Sequence, residues 1–140
     1  MPSQFTLAAP GITLSSATPA NVVSQVVQPG TYLVWGQLDF ALSAVTATET
    51  QAGISLTSAT MPTQAGGGGL GPEPLAISPL LVTLLTGTMS LHVAPTSLVL
   101  ASAATVYLVA RSTFAVGTLT VYGTLNILPA LGTGFNIMAS

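Results

Sequence analysis

Residues 105–127, TVYLVARSTFAVGTLTVYGTLNI, hold two alternating runs around a short turn. Side chains alternate across a strand, so each run has two distinct faces. Thr105–Phe114 places Val106, Leu108, Ala110 and Phe114 on one face, and Tyr107, Val109, Arg111 and Thr113 on the other. Thr118–Ile127 places Leu119, Val121, Leu125 and Ile127 opposite Thr118, Thr120, Tyr122 and Thr124. The first face of each run is continuously apolar, as expected of strands that cover a sandwich core. Ala115–Gly117 is short enough to close the two strands into a hairpin.

The same grammar extends upstream. Thr31–Phe40 reads as a long strand after the Pro29-Gly30 turn, with Leu33, Trp35 and Gln37 on one side and Tyr32, Val34 and Leu38 on the other. Phe5–Leu7, Ile12–Leu14, Val22–Val27 and Ser97–Leu100 are shorter β-rich runs between Gly and Pro. Thr46–Leu56 alternates with Thr46, Thr48 and Thr50 in step, which predicts a strand with one wet face. Leu80–Leu85 and Met89–Val93 could pair around Thr86–Thr88. Met61–Pro74, with Gly66, Gly67, Gly68, Gly69 and three prolines, reads as an exposed loop.

About eight antiparallel strands in a chain of this length predict an all-β jelly-roll β-sandwich. The 140 residues form one domain: an N-terminal arm over 1–20, a sandwich over 21–128 and a C-terminal arm over 129–140. Met1–Ser16 and Leu131–Ser140 are apolar, Gly/Pro-broken and uncharged, which suits segments that clip onto neighbours.

Charge narrows the function. Charged residues make up 3% of the chain, against about 25% in ordinary globular domains. A single Arg cannot neutralise a run of phosphates, which argues against nucleic-acid binding. So few charges give a free monomer little colloidal repulsion. Much of the surface is therefore expected to be covered, by copies of the chain or by a larger body. Leu75–Val93 is apolar enough to score as a membrane span, but Pro79, Gly87 and His92 interrupt it and no Lys or Arg flanks it. Met1–Leu14 has neither the basic start nor the compact apolar run of a secretory signal.

Reactive chemistry finds little material. There is no cysteine and one histidine, with no Gly-x-Ser-x-Gly elbow. No catalytic residue, metal site or cofactor is expected, and the chain does not read as an enzyme. Gly66–Gly71 formally satisfies G-x-G-x-x-G, but Pro72 and Pro74 forbid the helix that a dinucleotide site needs. His92 reads as a strand residue with a local hydrogen bond, although Asp39 or Glu49 could meet it in space.

Arg111 lies mid-strand in an apolar run. A buried guanidinium without a partner is very costly. It is expected to pair with Asp39, Glu49 or a neighbour's carboxylate, to bond backbone carbonyls, or to keep its head in water. Tyr107 and Tyr122, with Tyr32, suit a subunit interface, because a tyrosine couples an apolar ring to a hydroxyl. Solvent-facing tyrosines on a wet sheet face are the alternative.

Several of these segments resemble one family. Val106-Tyr107-Leu108-Val109-Ala110, Phe114 and Tyr122-Gly123 are similar to the closing hairpin of small structural proteins of tailed phages and prophages. Pro29 through Gly36 (PGTYLVWG) resembles their entry strand, and Ala52 through Thr60 (AGISLTSAT) their middle segment. The likeness spans roughly residues 20–127. It implies a tumour-necrosis-factor-like jelly roll that forms homotrimers on the virion. Tyr32, Tyr107, Arg111 and Tyr122 would then contribute to the trimer interface. The expected role is a capsid decoration or cement protein on the outer surface of the head, bound to the major capsid protein. A head-fibre or tail-fibre tip that meets a host receptor through Met61–Pro74 is the alternative. The basic cluster that often follows Tyr-Gly in that family is replaced here by Asn126-Ile127-Leu128-Pro129.

Overall fold

The computed structural model describes residues 3–60, 75–79 and 84–129. Among these residues there are seven strands and no helix: β1 (Ser3–Thr13), β2 (Ala20–Val27), β3 (Gly30–Ser55), β4 (Leu75–Pro79), β5 (Leu84–Leu100), β6 (Ala104–Phe114) and β7 (Thr118–Pro129). Every pairing is antiparallel. The first layer runs β1-β7-β3-β5, using Gly30–Thr46 of β3. The second runs β2-β6-β3-β4, using Ala47–Ser55. Side chains of both layers meet in one hydrophobic core, an all-β arrangement consistent with a β-sandwich, and β3 serves both sheets.

The length of β3, 26 residues, follows from that double duty. It leaves the first layer at Ser43–Val45, where Ala44 takes a φ of 53° and the register to β5 slips between Leu42 and Val45. A second slip, against β6, falls between Ala47 and Glu49. An extra residue at a bulge reverses which side chains face inward. Val34, Leu38, Phe40 and Leu42 therefore point into the core, then Val45 and Ala47, then Thr50, Ala52 and Ile54.

These slips change the reading of Thr46–Leu56. It is not a separate strand but the second half of β3. Thr50, expected on a wet face, is fully buried opposite Ser112 of β6, which is buried as well. The Ser112 hydroxyl donates to the Glu49 carbonyl at 3.0 Å, so its oxygen is left to accept from Thr50 Oγ1 at 3.2 Å. Among the described residues no buried side-chain nitrogen or oxygen lacks a partner.

Two further expectations change. No turn falls at Thr86–Thr88, which lies within one strand. Residues 80–83 lie outside the described residues, while Leu84 to Leu100 runs as one strand along β3. Ala94-Pro95 sits at a slip in that pairing, between Val93 and Thr96, where a residue with no N–H to donate is tolerated. Residues 3–13, expected within an N-terminal arm, form an edge strand on β7, with Phe5 opposite Leu125 and a bulge between Leu7 and Ile12. Phe5 and Leu7 pack on the core from there.

β6 and β7 do not close into the expected hairpin: each pairs with β3, in a different layer, and Ala115–Gly117 carries the chain from one sheet to the other. Their inward rows meet in the core, and Val109, expected on the outer face, is fully buried as well. Val106, Leu108, Ala110, Leu119, Val121 and Leu125 are all fully buried, together with Phe40 and Leu38 from β3. Gly123 lies among them because a Cβ there would collide with the Gln37 carbonyl and the Leu38 side chain.

Candidate assembly surfaces

The two outer faces of the sandwich carry the residues singled out in the sequence. On the first layer, β3 turns Trp35, Gln37 and Asp39 outward. The register sets Trp35 beside Asn126, Gln37 between His92 and Thr124, and Asp39 between Ser90 and Tyr122. The Asp39 carboxylate accepts from Gln37 Nε2 at 3.2 Å and from the Ser90 hydroxyl. At the edge, the hydroxyls of Thr6 and Thr124 bond to each other. The face is thus a half-exposed lattice of hydroxyls and amides around two aromatic rings.

Asp39, Ser90 and His92 bring the residue types of a hydrolytic triad onto neighbouring positions. Their connectivity is not that of a triad. The serine hydroxyl bonds the carboxylate directly, whereas nucleophile activation needs an imidazole between the two. Among the described residues, no three of His, Asp and Glu come together as metal ligands would.

On the second layer, β6 turns Tyr107, Arg111 and Thr113 outward. Gln51 and Glu49 of β3 lie opposite Arg111 and Thr113. Arg111 Nη1 donates to Glu49 Oε1 and to Gln51 Oε1, each at 3.2 Å. Its Nε donates to the carbonyl of Ala17, in the connection from β1 to β2. Of the partners open to it in the sequence, Arg111 thus takes Glu49 and a backbone carbonyl, both in its own chain.

Tyr32 stands apart from both faces. Its ring packs against the core and its hydroxyl donates to the Gln28 carbonyl at 2.8 Å, closing the turn between β2 and β3. The four residues expected at one trimer interface therefore occupy three places. Tyr122 is on the first outer face, Tyr107 and Arg111 are on the second, and Tyr32 is at the end of the sandwich. Gly66, Gly67, Gly68 and Gly69, with the rest of 61–74, lie outside the described residues.

A feature missed in the sequence sits near Tyr32. A groove of about 170 Å³ opens there, lined by Ser3 and Phe5 of β1, Gln25–Val27 of β2, Gln28, Tyr32, Ile127 and Pro129. Val26 in its wall is 58% exposed. Leu33 and Val99, also exposed, lie on the outward rows of β3 and β5 at this end. The signal lay in three apolar residues close to strand termini, which composition alone does not distinguish from core.

The chain matches no protein-family model and no curated protein.

Proposed function

We propose that this protein is a structural component of a tailed-phage virion, a homotrimeric jelly roll that binds the major capsid protein on the outer surface of the head as a decoration or cement protein. The sandwich supplies the first support. Strand orders β1-β7-β3-β5 and β2-β6-β3-β4 support a jelly-roll reading, in which two Greek keys fold into two facing sheets. The segments that resemble phage structural proteins supply the second, since they fall on β3, β6 and β7.

The observation that carries the reading is the state of the charges. A surface of 6980 Å² belongs to a chain with one Arg and three Asp or Glu. Arg111 and Glu49 are bonded to each other, and Asp39 is held by neutral donors. The outward tyrosine, tryptophan, threonine and amide side chains, with exposed Val26, Leu33, Val99 and Val116, leave a surface nearly bare of charge, and charge depletion with aromatic enrichment marks surfaces that bury against protein. A cyclic trimer joins two different patches head to tail. Placing Tyr122 on one outer face and Tyr107 on the other fits that requirement. Many weak contacts of this kind, repeated over a capsid lattice, hold by avidity.

The test is the mass of the purified chain by light scattering, followed by sedimentation with isolated capsids. A trimer that pellets with capsids is expected, and Tyr107→Ala with Tyr122→Ala should lower the mass while leaving the melting temperature within a few degrees. A lone monomer at all concentrations that never pellets with particles overturns the proposal. The Trp35–Tyr122 face also favours a second reading, a fibre tip that meets a host receptor. Copy number separates the two: hundreds of chains per particle mean decoration, a few dozen or fewer mean a fibre.

A further inference from the structure

We propose that the groove at the β1–β2 end is a docking site for the chain's own C-terminal segment, Ala130–Ser140. Pro129, the last described residue, lines the groove, and the segment follows it directly in the chain. The segment reads ALGTGFNIMAS, with Leu131, Phe135, Ile137 and Met138 and no charge. The walls match it. Phe5, Val26, Val27 and Ile127 are apolar, and Ser3, Gln25 and Gln28 are uncharged polar groups able to bond a passing backbone.

Geometry favours an extended occupant. β1 and β2 are the outermost strands of their layers on this side, and an edge strand offers unpaired N–H and C=O groups to a further strand. Leu131 lies two residues past Pro129, about 7 Å along an extended chain, and Val26 and Pro129 line the same groove. Tethering decides between this segment and the same segment of another copy. A short flexible link gives an effective concentration in the millimolar range, above that of any free chain in dilute solution. The proposal stands without the virion reading, since it concerns a contact within one chain.

The absence of cysteine makes the test clean. Val26→Cys places a single thiol in the groove wall, and Val99→Cys places one on an exposed site outside it. Labelling by a maleimide is followed in the full chain, with and without Leu131→Asp plus Phe135→Asp. Docking predicts slow labelling at Val26→Cys that rises about tenfold or more with the two aspartates, and no change at Val99→Cys. Equal rates with and without the aspartates overturn the proposal. Protection at Val26→Cys that fades on dilution also overturns it, because the occupant is then another copy. Circular dichroism of each variant shows that the sandwich is intact, so a rate change is read on folded protein.

Discussion

Arg111 donates from Nε to the carbonyl of Ala17 at 3.2 Å, and Ala17 is one of three non-glycine residues with positive φ among the described residues, at 62°. The Ala17 N–H donates to the Ser112 carbonyl at 2.7 Å. One left-handed residue is thus held from both sides by β6 as the chain crosses from the first layer to the second. Nearby, the Phe114 N–H donates to Ser16 Oγ. The charged end of Arg111 reaches Glu49 on β3, so a single side chain ties the crossing to two strands.

Arg111→Ala removes all three contacts. The ion pair is partly exposed, which keeps its own contribution to about 0–1 kcal/mol. Losing the hydrogen bonds to Ala17 and Gln51 adds to that, for a total loss of about 1–2 kcal/mol. Arg111→Lys should recover less than half, since an ammonium lacks the planar fork that spans two acceptors. Urea midpoints at constant slope check both.

Ala17→Gly should stabilise the protein by about 0.5–1 kcal/mol. A left-handed conformation costs an alanine about 1–2 kcal/mol, and the added freedom of glycine in the unfolded chain offsets part of the gain. A rise of a few degrees in the thermal midpoint is the expected reading. A fall would mean that the Ala17 methyl makes a contact worth more than its strain.

The buried hydroxyl pair gives a double-mutant cycle. Ser112→Ala leaves the Thr50 hydroxyl without its acceptor and should cost about 1–3 kcal/mol. Thr50→Val leaves Ser112 still bonded to the Glu49 carbonyl and should cost less. The double variant should cost less than the sum, with a coupling of about 0.5–3 kcal/mol. Strict additivity by denaturant unfolding would show that the two hydroxyls do not interact.

Gly123→Ala should be among the most disruptive single changes. Its Cβ would collide with the Gln37 backbone, which no rotamer change relieves, so β7 must move away from β3. A cost near or above about 4 kcal/mol follows, the range reserved for core overpacking and backbone displacement. Loss of soluble expression, or a deep fall in midpoint, is the readout.

Much of the sandwich was legible because its strands obey a period of two. β6 and β7 alternate, and their inward rows lie in the core, although Val109 and Asn126 on the outward rows are buried too. The interior of β3 was not legible, because two bulges each reset the period. A threonine that looks wet in a regular strand, Thr50, then turns inward. Bulge positions depend on how neighbouring strands register, and local sequence does not carry that information. The partner of Arg111 was narrowed to a short set of acceptors by the cost of an unpaired guanidinium. The choice of Glu49 needed the pairing of β3 with β6, which joins positions 62 residues apart. The tyrosines were sorted into strands, but β6 and β7 belong to opposite layers instead of pairing as a hairpin, which separates Tyr107 from Tyr122.

Because β3 passes unbroken from one sheet into the other, neither sheet has a complete set of neighbours without it. Loosening either end of that ribbon withdraws support from the opposite wall. Melting should therefore be all-or-none when followed by any probe. Renaturation should be slow, since hardly any native contact can form until remote parts of the chain have met.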